Sequence, residues 1–76
     1  MYTVFPDKDG NGFRIFLASG EIIHYSLDDS GSAVMVNVEN GRDNALLLEQ
    51  SFNRVAQTTA SLLIQDRMIG DIRIAH

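Results

Sequence analysis

The spacing of apolar residues changes once along this 76-residue chain. Up to about residue 40, apolar and polar side chains alternate with a period of two, which is typical of strands that bury one face. From there to about residue 65, apolar residues recur every three or four positions, as along an amphipathic helix. This change predicts an α+β domain in which one long helix packs on one face of a sheet that precedes it in sequence.

Turn-forming segments divide the alternating part into a four-stranded antiparallel β-meander. These segments are rich in Asp, Asn, Ser and Gly, which tolerate the positive φ angles of tight hairpins. In the last strand, Val34, Val36 and Val38 are predicted to face the helix. The four predicted strands are Tyr2–Phe5, Phe13–Ala18, Ile22–Leu27 and Ala33–Glu39.

The helix is predicted over 44–65, after the break at Asn40-Gly41, and Asp43 or Asn44 can cap it. Its pattern fades near Gln65. The apolar stripe that is predicted to cover the sheet consists of Ala45, Leu48, Phe52, Val55, Ala56, Thr59 and Leu63.

The end of the chain allows two interpretations. Thr58-Thr59 forms helix poorly, so the helix can instead end near Gln57 and be followed by a strand at 61–64. In both interpretations 71–75 alternates as a short final strand. The favoured order is β-β-β-β-α-β in a single small domain over residues 1–76.

Composition favours self-association. The chain has no cysteine, so neither a disulfide nor a thiolate zinc site can stabilise the fold. At this length, the burial of one core barely outweighs the conformational entropy lost on folding. A homodimer is therefore expected.

Charge and hydropathy narrow the class of partner. The formal net charge is −4 and the basic residues are scattered, so direct nucleic-acid binding is not expected. There is no apolar run long enough to cross a membrane and no basic leader, which predicts a soluble, cytoplasmic protein without membrane contact. An acidic chain of this kind fits another protein with a basic surface.

A single helix covers one face of the sheet and leaves the other face open. On that open face Phe16, Ile22 and Met35 are predicted to mediate self-association, because neighbouring exposed apolar residues on a sheet mark interfaces. The alternative is that the strand registers differ and these side chains are core. The rest of the predicted open face is Arg14, His24, Ser26, Ala33 and Asn37, and a helix flank with Leu46, Leu47, Leu62 and Ile64 is a further contact region.

The first and third turns of a meander lie at the same end of its sheet, and both are acidic. The helix returns to that end. An acidic pole that could bind a basic protein is therefore predicted, although the turn-forming tendency of Asp alone also explains it. Its residues are Asp7, Asp9, Asp28, Asp29 and Asp66, with Asp71 close by.

The segment Asp7–Gly12 resembles the first half of an EF-hand calcium loop. Asp7, Asp9, Asn11 and Gly12 match, but Ala18 stands where the bidentate Glu is required. A divalent-cation-binding module is thus an alternative, and a hairpin turn explains the same residues. No metal or other cofactor is predicted.

A catalytic constellation is missing from the sequence. His24 is the candidate general base of a small enzyme or enzyme subunit, but it lies mid-strand with no carboxylate nearby in sequence. The favoured function is a non-catalytic interaction module. Small acidic chains of this kind suit adaptors or inhibitors, including those encoded by mobile elements and phages, by analogy of size and charge.

Overall fold

The computed structural model describes the backbone of residues 1–75 and the side chains of residues 1–66. The strands form one antiparallel sheet in the order β1-β2-β3-β4, and α1 packs on one of its faces. The predicted α+β fold, with four strands followed by one helix, is confirmed. The elements are β1 (Tyr2–Pro6), β2 (Gly12–Leu17), β3 (Ile22–Leu27), β4 (Ala33–Glu39), a 3-10 turn (Arg42–Asn44) and α1 (Ala45–Ala75).

The core lies between α1 and the face of the sheet that contacts it, called the inner face from here on. At its centre the helix contributes only small side chains, Ala56 and Ala60, which let the helix backbone approach the sheet closely. Most of the predicted helical stripe packs here, with Leu48, Phe52, Val55 and Leu63 around the two alanines, of which Ala60 is not part of the predicted stripe. The buried residues of the sheet are Phe13, Ile15, Ile23, Tyr25 and Ala33.

A β-bulge interrupts the pairing of β3 with β4. Tyr25 lies opposite Met35, whereas the preceding residue His24 lies opposite Asn37. Val36 therefore has no partner on β3. An extra residue in one strand reverses the inward and outward alternation on its two sides.

Because of the bulge, the face of β4 that was predicted to contact the helix is only partly right. Val38 packs against the core as predicted, but Val34 and Val36 are exposed, Val36 by 61%. On the N-terminal side of the bulge, Ala33 and Met35 are the residues that face the helix. An unbroken alternation therefore predicts the wrong face for Ala33, Val34, Met35 and Val36. The hydrophobic pattern does not show that one residue of the strand is unpaired.

Helix α1 is longer than predicted. It begins after the 3-10 turn and continues beyond Gln65, so the alternative strand at 61–64 is wrong. The apolar period indicates only the part of the helix that packs on the sheet. The helix continues beyond it, because no proline follows Gln65 to interrupt the backbone hydrogen bonds. The strand predicted at 71–75 is not shown; it falls where side chains are not described and the backbone belongs to α1. Within the described residues, no helix is long and apolar enough to cross a membrane.

Candidate interaction surfaces

The face of the sheet opposite α1, called the outer face, has no other element packed on it in the described part of the chain. Phe16 and Ile22 are predicted here, and the structure places them as direct cross-strand partners. Met35, the third predicted self-association residue, lies on the inner face instead. The side chains of the outer face, from the strand registers, are Thr3, Phe5, Arg14, Phe16, Ile22, His24, Ser26, Val34, Asn37 and Glu39.

An aromatic pair occupies the β1 and β2 side of the outer face. The rings of Phe5 and Phe16 meet edge to face, with centroids 5.1 Å apart and an interplanar angle of 82°. The Arg14 guanidinium carbon lies 5.5 Å from the Phe16 centroid. Phe5 and Val34 remain 47% and 46% exposed. The sequence pattern does not predict either residue on this face. The β1–β2 register places Phe5 here, and the bulge places Val34 here.

The charged groups of the outer face have partners within the same chain. The Arg14 Nε atom lies 3.9 Å from an Asp7 carboxylate oxygen. His24 Nε2 lies 2.6 Å from Glu39 Oε2. No carboxylate lies near His24 in sequence, but Glu39, 15 residues later, reaches it through the β3–β4 pairing. The outer face thus combines the apolar side chains of Phe5, Phe16, Ile22 and Val34 with polar side chains, and both of its carboxylate contacts are made within the chain.

The two acidic turns lie at the same end of the sheet, as predicted. The Leu27 N–H donates to the Asn11 carbonyl at 2.8 Å, which joins the β1–β2 turn to the end of β3. Helix α1 reaches the β3–β4 turn, where Ile64 and Gly31 line a depression of about 290 Å³. Asp66 follows Ile64 on α1 at this end. The side chain of Asp71 lies outside the described residues.

The carboxylate of Asp28 organises the β3–β4 turn. One of its oxygens accepts hydrogen bonds from the Ser30 N–H at 3.0 Å, the Ser30 hydroxyl at 2.6 Å and the Ser32 N–H at 2.9 Å. The Ser30 hydroxyl, followed by the Ser32 amide, lowers the pKa of Asp28 by stabilising its ionised form. This acid thus has a structural role in the turn.

The segment Asp7–Gly12 forms the β1–β2 hairpin turn. The Asp7 N–H donates to the Gly12 carbonyl at 2.9 Å, and the Asp9 carboxylate accepts from the Asn11 N–H at 2.9 Å. A side chain at Gly12 would collide with the Tyr25 carbonyl oxygen, so the sheet itself requires glycine there. No group of three or more His, Asp or Glu side chains among the described residues is arranged to hold a metal ion.

A groove of about 370 Å³ runs between β1 and α1. Tyr2 and Val4 form its floor on the inner face, and a flank of α1 forms its wall. Tyr2 also contacts Phe52 edge to face, with ring centroids 5.5 Å apart. The helix residues that line the groove are Arg54, Val55, Thr58, Thr59 and Leu62.

The helix flank predicted as a contact region is divided by the structure. Leu62 is 60% exposed at the groove. Leu46 and Leu47 are exposed near the start of α1, away from it. Ile64 is half-buried beside Gly31. Leu62 thus lies in a concave surface with other apolar side chains, and Ile64 lines the depression at the β3–β4 turn together with Leu27.

A buried hydroxyl lies in the core. Tyr25 is 5% exposed and stacks on Phe13 with ring centroids 5.0 Å apart. Its hydroxyl oxygen has no hydrogen-bond partner among the described residues. Burial, with a smaller contribution from the charge of Glu49, raises the pKa of Tyr25.

No known protein family, curated protein or solved structure is significantly similar to this chain.

Proposed function

We propose that this protein is a non-catalytic protein-interaction module that forms a homodimer by stacking the outer faces of two sheets. The observation that carries the proposal is the aromatic pair of exposed Phe5 and half-buried Phe16, on a face that no element covers in the described part of the chain. Aromatic side chains on an open sheet face supply a large apolar area at a fixed position. A second copy would remove this area from water.

Charge also favours a second copy on this face. Arg14 is close to Asp7, and His24 is bonded to Glu39, within each chain. When two identical faces approach, Asp7 and Glu39 are thus already in contact with side chains of their own chain. The bulged edge with Val34 and Val36 extends the apolar area on the β4 side.

The size of the face predicts a weak dimer. Four strands about 4.8 Å apart and about six residues long give a face of roughly 20 Å by 20 Å. Two such faces bury an area at the low end of specific interfaces. We therefore expect the dimer to dissociate on dilution into the micromolar range. The acidic end with Asp28 and Asp29 stays uncovered and available to a basic protein, as an adaptor or inhibitor requires.

Light scattering across a wide concentration range tests the proposal. The wild type should change from dimer to monomer on dilution, and Phe16→Asp and Ile22→Asp should be folded monomers throughout. Leu46→Asp is the matched control, because Leu46 is 68% exposed and lies away from the outer face. A wild type that is monomeric at all concentrations, or a Leu46→Asp variant that is monomeric where the wild type is a dimer, would contradict a dimer through this face.

A further inference from the structure

The two edge strands of the sheet differ in how their backbone groups are satisfied. At β4, the N–H and C=O of Ala33 point away from β3, and both are bonded to the Gln57 side chain at 2.9 Å. The bulge at Val36 then interrupts the regular spacing of this edge. A capped and bulged edge resists pairing with another strand.

The β1 edge is open. The Met1 carbonyl accepts a hydrogen bond from the Ala18 N–H at 3.2 Å, and the Asp7 N–H donates to the Gly12 carbonyl at 2.9 Å. In an antiparallel ladder the residues that bond to the neighbouring strand alternate, so odd-numbered residues of β1 bond to β2. The N–H and C=O of Tyr2 and Val4 therefore point outward, without a partner on the described part of the chain. These are two donors and two acceptors along one edge.

The open edge lies beside the groove between β1 and α1. Tyr2 and Val4 carry the outward backbone groups and also form the floor of the groove. A strand added along β1 would place alternate side chains on the inner face, against Val55 and Leu62. Backbone pairing and apolar burial are thus available to one and the same extended segment, which is the arrangement used in β-strand addition.

The groove carries one positive charge. Arg54 lines it and forms no ion pair with any described residue. In a chain of net charge −4, a cation at this position favours an acidic group on the ligand. The β1 strand of a second copy, Tyr2–Pro6, contains no acidic residue, so its strand residues offer Arg54 no ionic partner.

We infer that the β1 edge binds an extended segment of a partner protein as a fifth strand, with apolar side chains at alternate positions in the groove and an acidic side chain near Arg54. This site lies on a different surface from the proposed dimer interface. A stacked dimer would present two such sites, one on each protomer.

Selection from a random peptide library displayed with flanking residues at both ends tests the inference, with the intact protein as bait. Enriched peptides should alternate apolar residues and carry an acidic residue at a constant offset. Their affinities are then measured by fluorescence anisotropy with the wild type and with variants. On binding, the amide protons of Tyr2 and Val4 should become protected from exchange.

Two variants address the two halves of the site. Val4→Pro removes an outward N–H that the sheet does not use, and proline is tolerated there on an edge strand. It should weaken binding about tenfold. Arg54→Glu should weaken the binding of acidic peptides by a similar factor. Arg42 is an exposed arginine outside the groove, so Arg42→Glu should leave their binding unchanged. Phe16→Asp should retain peptide binding, which separates this site from the outer face.

Three results would overturn the inference. One is a selection that enriches no alternating sequence. Another is unchanged affinity in a folded Val4→Pro or Arg54→Glu protein. The last is a Val4→Pro variant that lowers the solution mass, because the β1 edge would then pair with a second copy.

Discussion

The side-chain amide of Gln57 pairs with the backbone of Ala33 as a neighbouring strand would. Gln57 Oε1 accepts from the Ala33 N–H and Gln57 Nε2 donates to the Ala33 carbonyl, both at 2.9 Å. Asn53 Oδ1 accepts a further bond from Gln57 Nε2 at 3.3 Å. The two-point contact fixes α1 on the β4 edge and leaves the groove on the β1 side.

Gln57→Ala should lower the free energy of unfolding by about 1–3 kcal/mol, since two partly buried backbone groups of Ala33 lose their partner. Gln57→Glu should be destabilising as well, because a carboxylate cannot donate to the Ala33 carbonyl. Urea denaturation followed by circular dichroism measures both. Gln50→Ala, an exposed glutamine on the same helix, should change stability by less than about 0.5 kcal/mol. Equal effects at the two positions would rule out a specific role for the Ala33 contact.

The bulge at Val36 predicts that two valines of the same strand differ in their contribution to stability. Val38→Thr places a hydroxyl against the core and should lower the free energy of unfolding by about 1–2 kcal/mol. Val36→Thr keeps its shape at an exposed site and should change it by less than about 0.5 kcal/mol. Urea denaturation compares the two. A larger loss for Val36→Thr would mean that β4 pairs with β3 in an unbroken register.

Removal of the buried Tyr25 hydroxyl should stabilise the protein. Tyr25→Phe keeps the stacked ring beside Phe13 and eliminates a buried polar atom without a partner among the described residues. The expected gain in unfolding free energy is up to about 1 kcal/mol. A loss on urea denaturation would show that the hydroxyl is hydrogen-bonded.

Tyr25 should also affect stability at high pH. Its pKa is raised in the folded protein, so the folded state holds its proton where the unfolded state loses it. The stability contribution is complete below the unfolded pKa of about 10 and is lost as the pH rises through the folded value. Tyr25→Phe should therefore flatten the decline of Tm at alkaline pH, with Tyr2→Phe as the exposed control. Parallel declines in both variants would contradict this assignment.

Asp28 should contribute to stability above its titration range. Its pKa is lowered in the folded state by the Ser30 and Ser32 hydrogen bonds. The contribution is present above the unfolded value of about 4 and is lost as the pH falls through the lower folded value. Asp28→Ala should lower Tm at neutral pH, and the difference from wild type should shrink in acid. Asp29→Ala, next to it in the exposed turn, is the control and should change Tm little.

Several site residues were predictable and others were not. Phe16 and Ile22 belong to strands whose alternation runs undisturbed, so their face could be deduced from the sequence. Met35 lies beside the bulge, where an unbroken alternation predicts the wrong face. Phe5 was missed, because only the β1–β2 register shows that it meets Phe16 on the outer face.

Local sequence patterns are sufficient to predict the strands, their turns and most of the buried stripe of the helix. These features depend on local periodicity and on the backbone preferences of Gly, Asn and Asp, which act over a few residues. The contacts between distant segments depend instead on how the whole chain packs. His24 with Glu39, Gln57 with Ala33, the exposed Val36 and the open edge at Val4 all follow from register and packing. Such contacts are selected by the total burial and hydrogen bonding of the whole domain, which no local pattern records.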